Sequence, residues 1–388
     1  MSAPGAAGTP SGDDHGRRRR LRVLWVTKGL EVGGIERLLC WMAAARDGAS
    51  FDCEAAYVLA WAGTLHDQLG ATGVAVHRLG ARSELDPRWA LRLRRLLDAR
   101  RFDVVHFHSP YVAGVGRMVV RSLSPGRRPL MVSTEHNVWS DYPVPTRALN
   151  ALTTRLDDAH VAVSERVRQS MASAVRNRVD VVLHGIPLES VRVHRSLRGE
   201  VRRELGVAED DVVVGTVANL RAQKGYPDLL EAARRLLGDG LPVRFLAVGQ
   251  GPMEEELRRL HAALGLGDRF RFLGYREDAV HLLAGCDLFV LASRHEGGPL
   301  AVLEALAMGL PVVATTVGVV PDVVTDGVEG ILVPPRRPDL LADALERLVL
   351  DTGRRAAMSA AALRRAHDLD VVSTVRHLEE LYRRLAAR

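Results

Sequence analysis

Two carboxylates eight positions apart, Glu296 and Glu304, bracket the stretch Glu296-Gly-Gly-Pro-Leu-Ala-Val-Leu-Glu304. Pro299 suits the first turn of a helix, where its missing N–H would have had no partner. The glycines before it let backbone approach a ligand, and the free N–H groups of Leu300 and Ala301 lie at the positive end of the helix dipole. A diphosphate fits such a turn. The carboxylates cannot serve the anion, so they are expected to face hydroxyls, as on a sugar or a ribose. A second turn of the same kind, Asn219-Leu-Arg221-Ala-Gln-Lys224-Gly225-Tyr-Pro227, supplies two cations and another helix-opening proline. Lys224 and Arg221 are expected to neutralise a diphosphate that also touches the first turn. Such preorganised charge stabilises a departing nucleoside diphosphate as a glycosidic bond breaks. Plainer alternatives are a solvated helix face for the two acids and ordinary turn cations for Lys224 and Arg221. Against the first, Glu304 lies in an apolar run, where an unpaired carboxylate is costly.

The elements that must position these turns form two series. Leu21 to Val26 reads as a strand, followed by the loop Gly33-Gly34-Ile-Glu36-Arg37 and an apolar-periodic helix, the opening unit of a Rossmann-like domain. Glu36 and Arg37 read as decoration of that helix. Further strands are expected at 54–59, 75–79, 104–108, 130–134, 160–163 and 179–183, with helices at 88–101, 113–122 and 165–173. After a polar stretch at 191–198, read as a linker, a helix at 199–205 opens a second series. Its strands are expected at 212–217, 243–248, 270–273, 288–291, 312–314 and 330–333, with helices between them. The fold class is therefore α/β: two Rossmann-like parallel-sheet domains, 21–190 and 199–370, facing a central cleft where the ligands of such sheets bind. Residues 371–388 read as a terminal helix and 1–20 as a disordered basic tail.

A length of 388 residues exceeds one ordinary core and agrees with two domains. The +6 charge, mostly arginine, favours phosphate-bearing partners or an anionic membrane surface without choosing between them. Cys40, Cys53 and Cys286 show no metal spacing, which fits a reduced cytoplasmic protein. The start lacks the apolar core of a signal peptide, and Ala305 to Pro321 is too interrupted to span a membrane.

At this point the chain resembles a known family. Glu296-x7-Glu304, Lys224-Gly225, Val248-Gly249-Gln-Gly251-Pro252, Phe272-Leu-Gly274-Tyr275 and Gly330-Ile-Leu-Val-Pro-Pro335 together resemble retaining glycosyltransferases of family 4, which have the GT-B fold. The resemblance implies that Glu296 contacts the transferred sugar, Glu304 the ribose hydroxyls, and Lys224 the diphosphate, with Gly298, Pro299, Leu300 and Ala301 forming the donor turn. Gly33 and Gly34 are similar to the family's loop over the diphosphate, and Arg276 falls where the family recognises the base. Asn219 stands in place of the family's arginine, with Arg221 expected to compensate. In the first domain Asp103-Val-Val-His106-Phe-His108-Ser-Pro110 matches a strand whose second histidine faces the reacting centre; His106 and His108 share one face, and the resemblance selects His108. His136 and Asn137 resemble the next strand's end. Two departures lie near the cleft: His184-Gly-Ile-Pro187 where Asn-Gly-Ile/Val-Asp is usual, and Gly318-Val319 where two glycines are usual.

The implied function is transfer of a sugar from a nucleoside diphosphate sugar, bound mainly by the second domain, to a hydroxyl acceptor entering from the first. No metal or other cofactor is expected. An epimerase or hydrolase of the same fold and a non-catalytic nucleotide-sugar binder are the alternatives. The chain has no G-x-x-x-x-G-K-[ST] or G-x-G-x-x-G, its one Asp-x-Asp (Asp368-Leu-Asp370) lies far from any strand-end cleft, and its arginines are not interleaved with aromatics as nucleic-acid binding needs. The helix at 88–101 carries Trp89, Leu93, Leu96 and Leu97 on one face and arginines around the rest. It reads as a sheet-covering helix or as one that touches anionic lipid, which would place the protein at the inner face of the plasma membrane.

Overall fold

Short β-branched runs separated by helices can bury both faces only as parallel strands, and that is how they pair. In a computed structural model, which describes residues 19–30, 34–60 and 64–388, the chain forms two parallel sheets. The first contains β1 (Leu21–Thr27), β2 (Phe51–Leu59), β3 (Ala75–Ala81), β4 (Val104–Phe107), β5 (Leu130–Glu135), β6 (Ala159–Ala162) and β7 (Val179–Val181), in the order β3-β2-β1-β4-β5-β6-β7. The second contains β8 (Val212–Val217), β9 (Val243–Val248), β10 (Phe270–Gly274), β11 (Leu288–Leu291), β12 (Val312–Thr315) and β13 (Gly330–Val333), in the order β10-β9-β8-β11-β12-β13. Each order reverses beside the first strand of its sheet. That opens a crevice at the carboxyl ends of β1 and β4, and another at those of β8 and β11.

Among the helices that flank the sheets are α1 (Gly34–Ala45), α2 (Arg88–Ala99), α3 (Tyr226–Gly238), α4 (Leu300–Met308) and α5 (Val371–Ala386), of which α1 and α4 line the cleft. Of α2, Trp89, Leu93 and Leu97 are buried against the first sheet while Leu96 is only partly covered. Each fully buried side chain of this size contributes about 1.5–3 kcal/mol. Its apolar face is thus spent on the protein's own sheet. Helices at Thr64–Ala71 and Val144–Thr153 fill gaps between expected strands, and one at Thr352–Ala366 was not singled out. The last is alanine- and arginine-rich and buries only Met358, Ala361, Ala362 and Ala366, so its apolar stripe is faint. Among the described residues no helix is long and apolar enough to cross a membrane.

The domain boundaries differ from those expected. Ile186, Leu188 and Val191 already pack in the core of the second domain, so 191–198 is helix and 3₁₀ turn on that domain rather than a free linker. The chain crosses between Val182 and Ile186 and returns between Leu369 and Val371. The two crossings lie side by side: Ile186 N–H donates to Leu369 O and Val371 N–H to Ile186 O, both at 2.9 Å. After the return, α5 belongs to the first domain. Val371, Val375, Leu378, Leu381, Tyr382 and Leu385 complete the core around β1 and α1. At the end of the expected tail, Arg19 pairs with Asp103 and Arg20 Nη2 donates to Phe51 O at 3.1 Å. Residues 1–18 and Gly33 lie outside the described residues.

Candidate active site

Glu296 sits where the chain leaves β11 and turns toward α4. Its Oε1 lies 2.6 Å from Lys224 Nζ and accepts a hydrogen bond from Ser293 Oγ at 2.5 Å. Ser293 is fully buried, and its carbonyl accepts from Thr315 Oγ1 on β12, also at 2.5 Å. Lys224 reaches Glu296 because Gly225, just after it, adopts φ +64° and packs on the end of β11. A methyl group there would lie 2.0 Å from Ala292 O. Arg294 and Asp228 of α3 tie the same two turns together at 3.1 Å. The Asn219–Pro227 turn and the Glu296–Glu304 turn are therefore one rigid unit.

Glu304 lies on α4 with its side chain 1% exposed. Burying a lone carboxylate is costly, and the compensation comes from the other domain: Arg37 Nη2 on α1 stands 2.7 Å away. The guanidinium also lies over the ring of Trp41, 4.9 Å from its centroid. Pro299 is the N-cap of α4 rather than a residue of its first turn. The N–H groups of Leu300 and Ala301 are among the first of the helix, which have no partner within it.

The Gly297-Gly298 pair has a structural reason beyond the approach of a ligand. A methyl group on Gly297 would lie 2.1 Å from Asn137 Oδ1 and 2.4 Å from His136 O, and one on Gly298 would lie 2.8 Å from His184 Nδ1. The turn before α4 is thus packed directly against the first domain. On the first domain the loop bearing His136 and Asn137 is fixed by Tyr142, whose hydroxyl donates to Glu135 Oε2 at 2.9 Å and accepts from Asn137 N–H at 3.3 Å. Burial lifts the Glu135 carboxyl to about 7.

Between the domains lies a cleft of about 640 Å³, within the range of small-molecule sites. Gly34, His136, Asn137, Asn219, Lys224, Arg276, Glu296, Gly298, Pro299, Leu300, Ala301 and Glu304 line it, so most residues singled out in the sequence converge there. Arg221 does not: it is exposed and outside the lining. Arg276 lines the cleft with its guanidinium held by Asp278 at 2.6 Å and Glu204 at 3.1 Å. His108 is 1% exposed and stands behind His136 instead of lining the cleft. His106 is pinned in the core, with Nδ1 2.6 Å from Tyr382 Oη and Nε2 2.7 Å from Thr134 Oγ1. Sequence reasoning read Arg37 as decoration of its helix and did not single out Trp41, yet both face the cleft from α1. The signal was available: both are one helical turn apart, directly after a glycine loop. Among the described residues no group of three or more His, Cys, Asp or Glu is placed to hold a metal ion.

Known proteins share this chain's family signatures and its fold. The family model described as Glycosyl transferases group 1 matches residues 198–365, and that described as Glycosyltransferase Family 4 matches residues 32–190. The GDP-mannose-dependent alpha-(1-6)-phosphatidylinositol monomannoside mannosyltransferase of Mycobacterium tuberculosis is 30% identical over 364 residues, 88% of this chain and 92% of the relative. The alpha-D-kanosaminyltransferase of Streptomyces kanamyceticus is 36% identical over 164 residues, which is only 42% of each chain. Among solved structures, HepE of Anabaena in complex with UDP and glucose superposes with a TM-score of 0.79 at 24% identity, covering 93% of this chain and 99% of that one. Two domain-sized family matches that together span most of the chain, and a relative aligned over nearly the whole length, lead to one conclusion: the chain belongs to glycosyltransferase family 4 and has the GT-B fold.

Proposed function

We propose that the protein transfers a sugar from a nucleoside diphosphate sugar to a hydroxyl acceptor, with retention of the anomeric configuration and without a metal or other cofactor. The observation that carries this reading is the Lys224–Glu296 contact of 2.6 Å beside the N-terminus of α4. It puts a cation, a helix dipole and a carboxylate within one turn, as a diphosphate joined to a polyhydroxylated ring requires. The relatives support the donor class, one being GDP-mannose-dependent by name and another having been solved with UDP and glucose.

In this reading the acceptor hydroxyl attacks the anomeric carbon from the face the leaving group departs. The bond to the diphosphate oxygen breaks, and the acceptor's proton passes to that oxygen. Lys224 and the first N–H groups of α4 stabilise the charge that builds there, and Glu296 orients the sugar through its hydroxyls. Glu304 is assigned to the ribose, which has to share the carboxylate with Arg37. The acceptor is assigned to a glycolipid, a polysaccharide intermediate or a small glycoside. A lipid-borne one would bring Leu91 and Arg95, exposed on α2, to an anionic membrane surface.

Glu296→Ala, with the fold intact, is expected to lower kcat by about 100-fold or more. Near-native transfer at saturating donor would sink the assignment. Incubation with nucleotide sugar alone separates transfer from epimerisation or hydrolysis, because a transferase leaves the donor nearly unchanged until an acceptor is added.

A further inference from the structure

Three imidazoles stand in file from the interior of the first domain to the cleft. His108 Nδ1 lies 3.4 Å from His136 Nε2, and His136 Nδ1 lies 3.1 Å from His184 Nε2. The outer nitrogen of the file, His184 Nδ1, faces the turn before α4, where a methyl group on Gly298 would stand 2.8 Å from it. The inner nitrogen, His108 Nε2, is buried with no hydrogen-bond partner among the described residues. Burial holds all three rings neutral, with His184 down to about 4 and His108 and His136 well below their ordinary range.

A neutral imidazole has one N–H and one lone pair, so the two hydrogen bonds of the file must run in the same direction. If they run inward, His108 Nε2 carries a buried N–H with no acceptor, and His184 shows the cleft a bare lone pair. If they run outward, His108 Nε2 is the bare lone pair and His184 shows the cleft an N–H. Buried N–H groups without an acceptor are the rarer of the two defects. The polarity seen in the cleft is therefore decided two rings behind it.

We propose that His184 presents Nδ1–H to the cleft as a neutral donor and hydrogen-bonds an oxygen of the nucleotide sugar beside Gly298, with His136 and His108 as positioning residues that fix its tautomer. The identity of that ligand rests on the glycosyl-transfer reading; the tautomer does not. A neutral donor suits this place because it adds a hydrogen bond without competing with Lys224 for the Glu296 carboxylate.

Long-range ¹H–¹⁵N correlation spectra of the wild-type protein at pH 7 read the tautomer directly. The expected result is Nδ1–H on His108, His136 and His184, and an Nε2–H tautomer on His184 overturns the proposal. In His108→Asn, shown to be folded, the side-chain amide can either accept from or donate to His136 Nε2, so His184 should become a mixture of tautomers; an unmoved His184 spectrum overturns the positioning role. Calorimetric titration with UDP, UDP-glucose, GDP and GDP-mannose then tests the ligand. His184→Ala should weaken the nucleotide sugar that the wild type binds by roughly tenfold. Equal weakening of the free diphosphate places the oxygen on phosphate, and weakening of the sugar-bearing form alone places it on the sugar. Unchanged affinity in a folded variant overturns the contact. A wild type that binds no nucleotide sugar overturns the proposed function instead and leaves the tautomer result standing.

Discussion

At the scale of single residues, the protein stores titratable groups where water is excluded. His106 is held down to about 3 and His184 to about 4 by burial, against an ordinary 6.5. The unfolded chain takes up these protons as pH falls below 6.5 while the folded chain refuses them. Their stability is therefore full above about 6.5 and lost as pH falls toward 4 and below. Glu135, lifted to about 7, works in the opposite sense: its contribution is present below its ordinary 4.5 and lost as pH rises to about 7. The two effects overlap, so the imidazole term is isolated by a variant. The unfolding free energies of wild type and His184→Asn, from urea melts, should converge by about 2 kcal/mol between pH 6.5 and pH 5. A gap that stays constant would mean that His184 is not buried neutral.

At the scale of elements, the site depends on strand ends held by turns and on one helix that returns from the far end of the chain. The turn before α4 is tied to the second sheet through Ser293 and Thr315, and the Lys224 turn is tied to the end of β11 through Gly225. From the other side α5 backs the first sheet, with Tyr382 on His106 and Leu378 in the core around β1. Leu378→Ala should cost about 2–5 kcal/mol by leaving a cavity. Hydrogen exchange should speed up in β1 and α1 while β8 and β11 keep their protection. Equal loosening of both sheets would show that α5 serves the two domains alike.

At the scale of the whole molecule, two cores meet at a cleft and are joined by the paired crossings at Ile186 and Asp370. The packing at these crossings leaves no room for a side chain at Gly185, where a methyl group would lie 2.3 Å from the Asp370 carbonyl carbon. Across the cleft the Arg37–Glu304 pair of 2.7 Å bonds one domain to the other. Arg37→Met removes the charge, keeps the stem over Trp41, and leaves the buried carboxylate unpaired. It should cost about 1–3 kcal/mol, toward the lower end because the guanidinium is 36% exposed. Small-angle scattering of the ligand-free variant should show a larger radius of gyration than wild type. An unchanged radius would show that the pair does not hold the domains together.

Much of this was legible from local chemistry. Strand-forming runs, helix-opening prolines and the glycine turns act over a few residues, so Glu296, Glu304 and Lys224 could be placed at strand-to-helix turns from their neighbours alone, and the resemblance to family 4 ordered them into one donor site. The boundaries were harder because helices such as Thr352–Ala366 carry too faint an apolar stripe, and because a polar stretch such as 191–198 can pack as readily as it can link. What only the tertiary structure decided is what lies far apart in sequence: α5 completing the first core, Arg37 meeting Glu304 across 267 positions, and the file from His108 to His184. Arg221 and His108 were drawn toward the cleft by spacing and resemblance, yet one is exposed outside it and the other is buried behind His136. Spacing along the chain fixes which side of a strand or helix a residue takes. Which of several residues on that side reaches the ligand depends on what the other domain places opposite, and that is a property of the packed molecule.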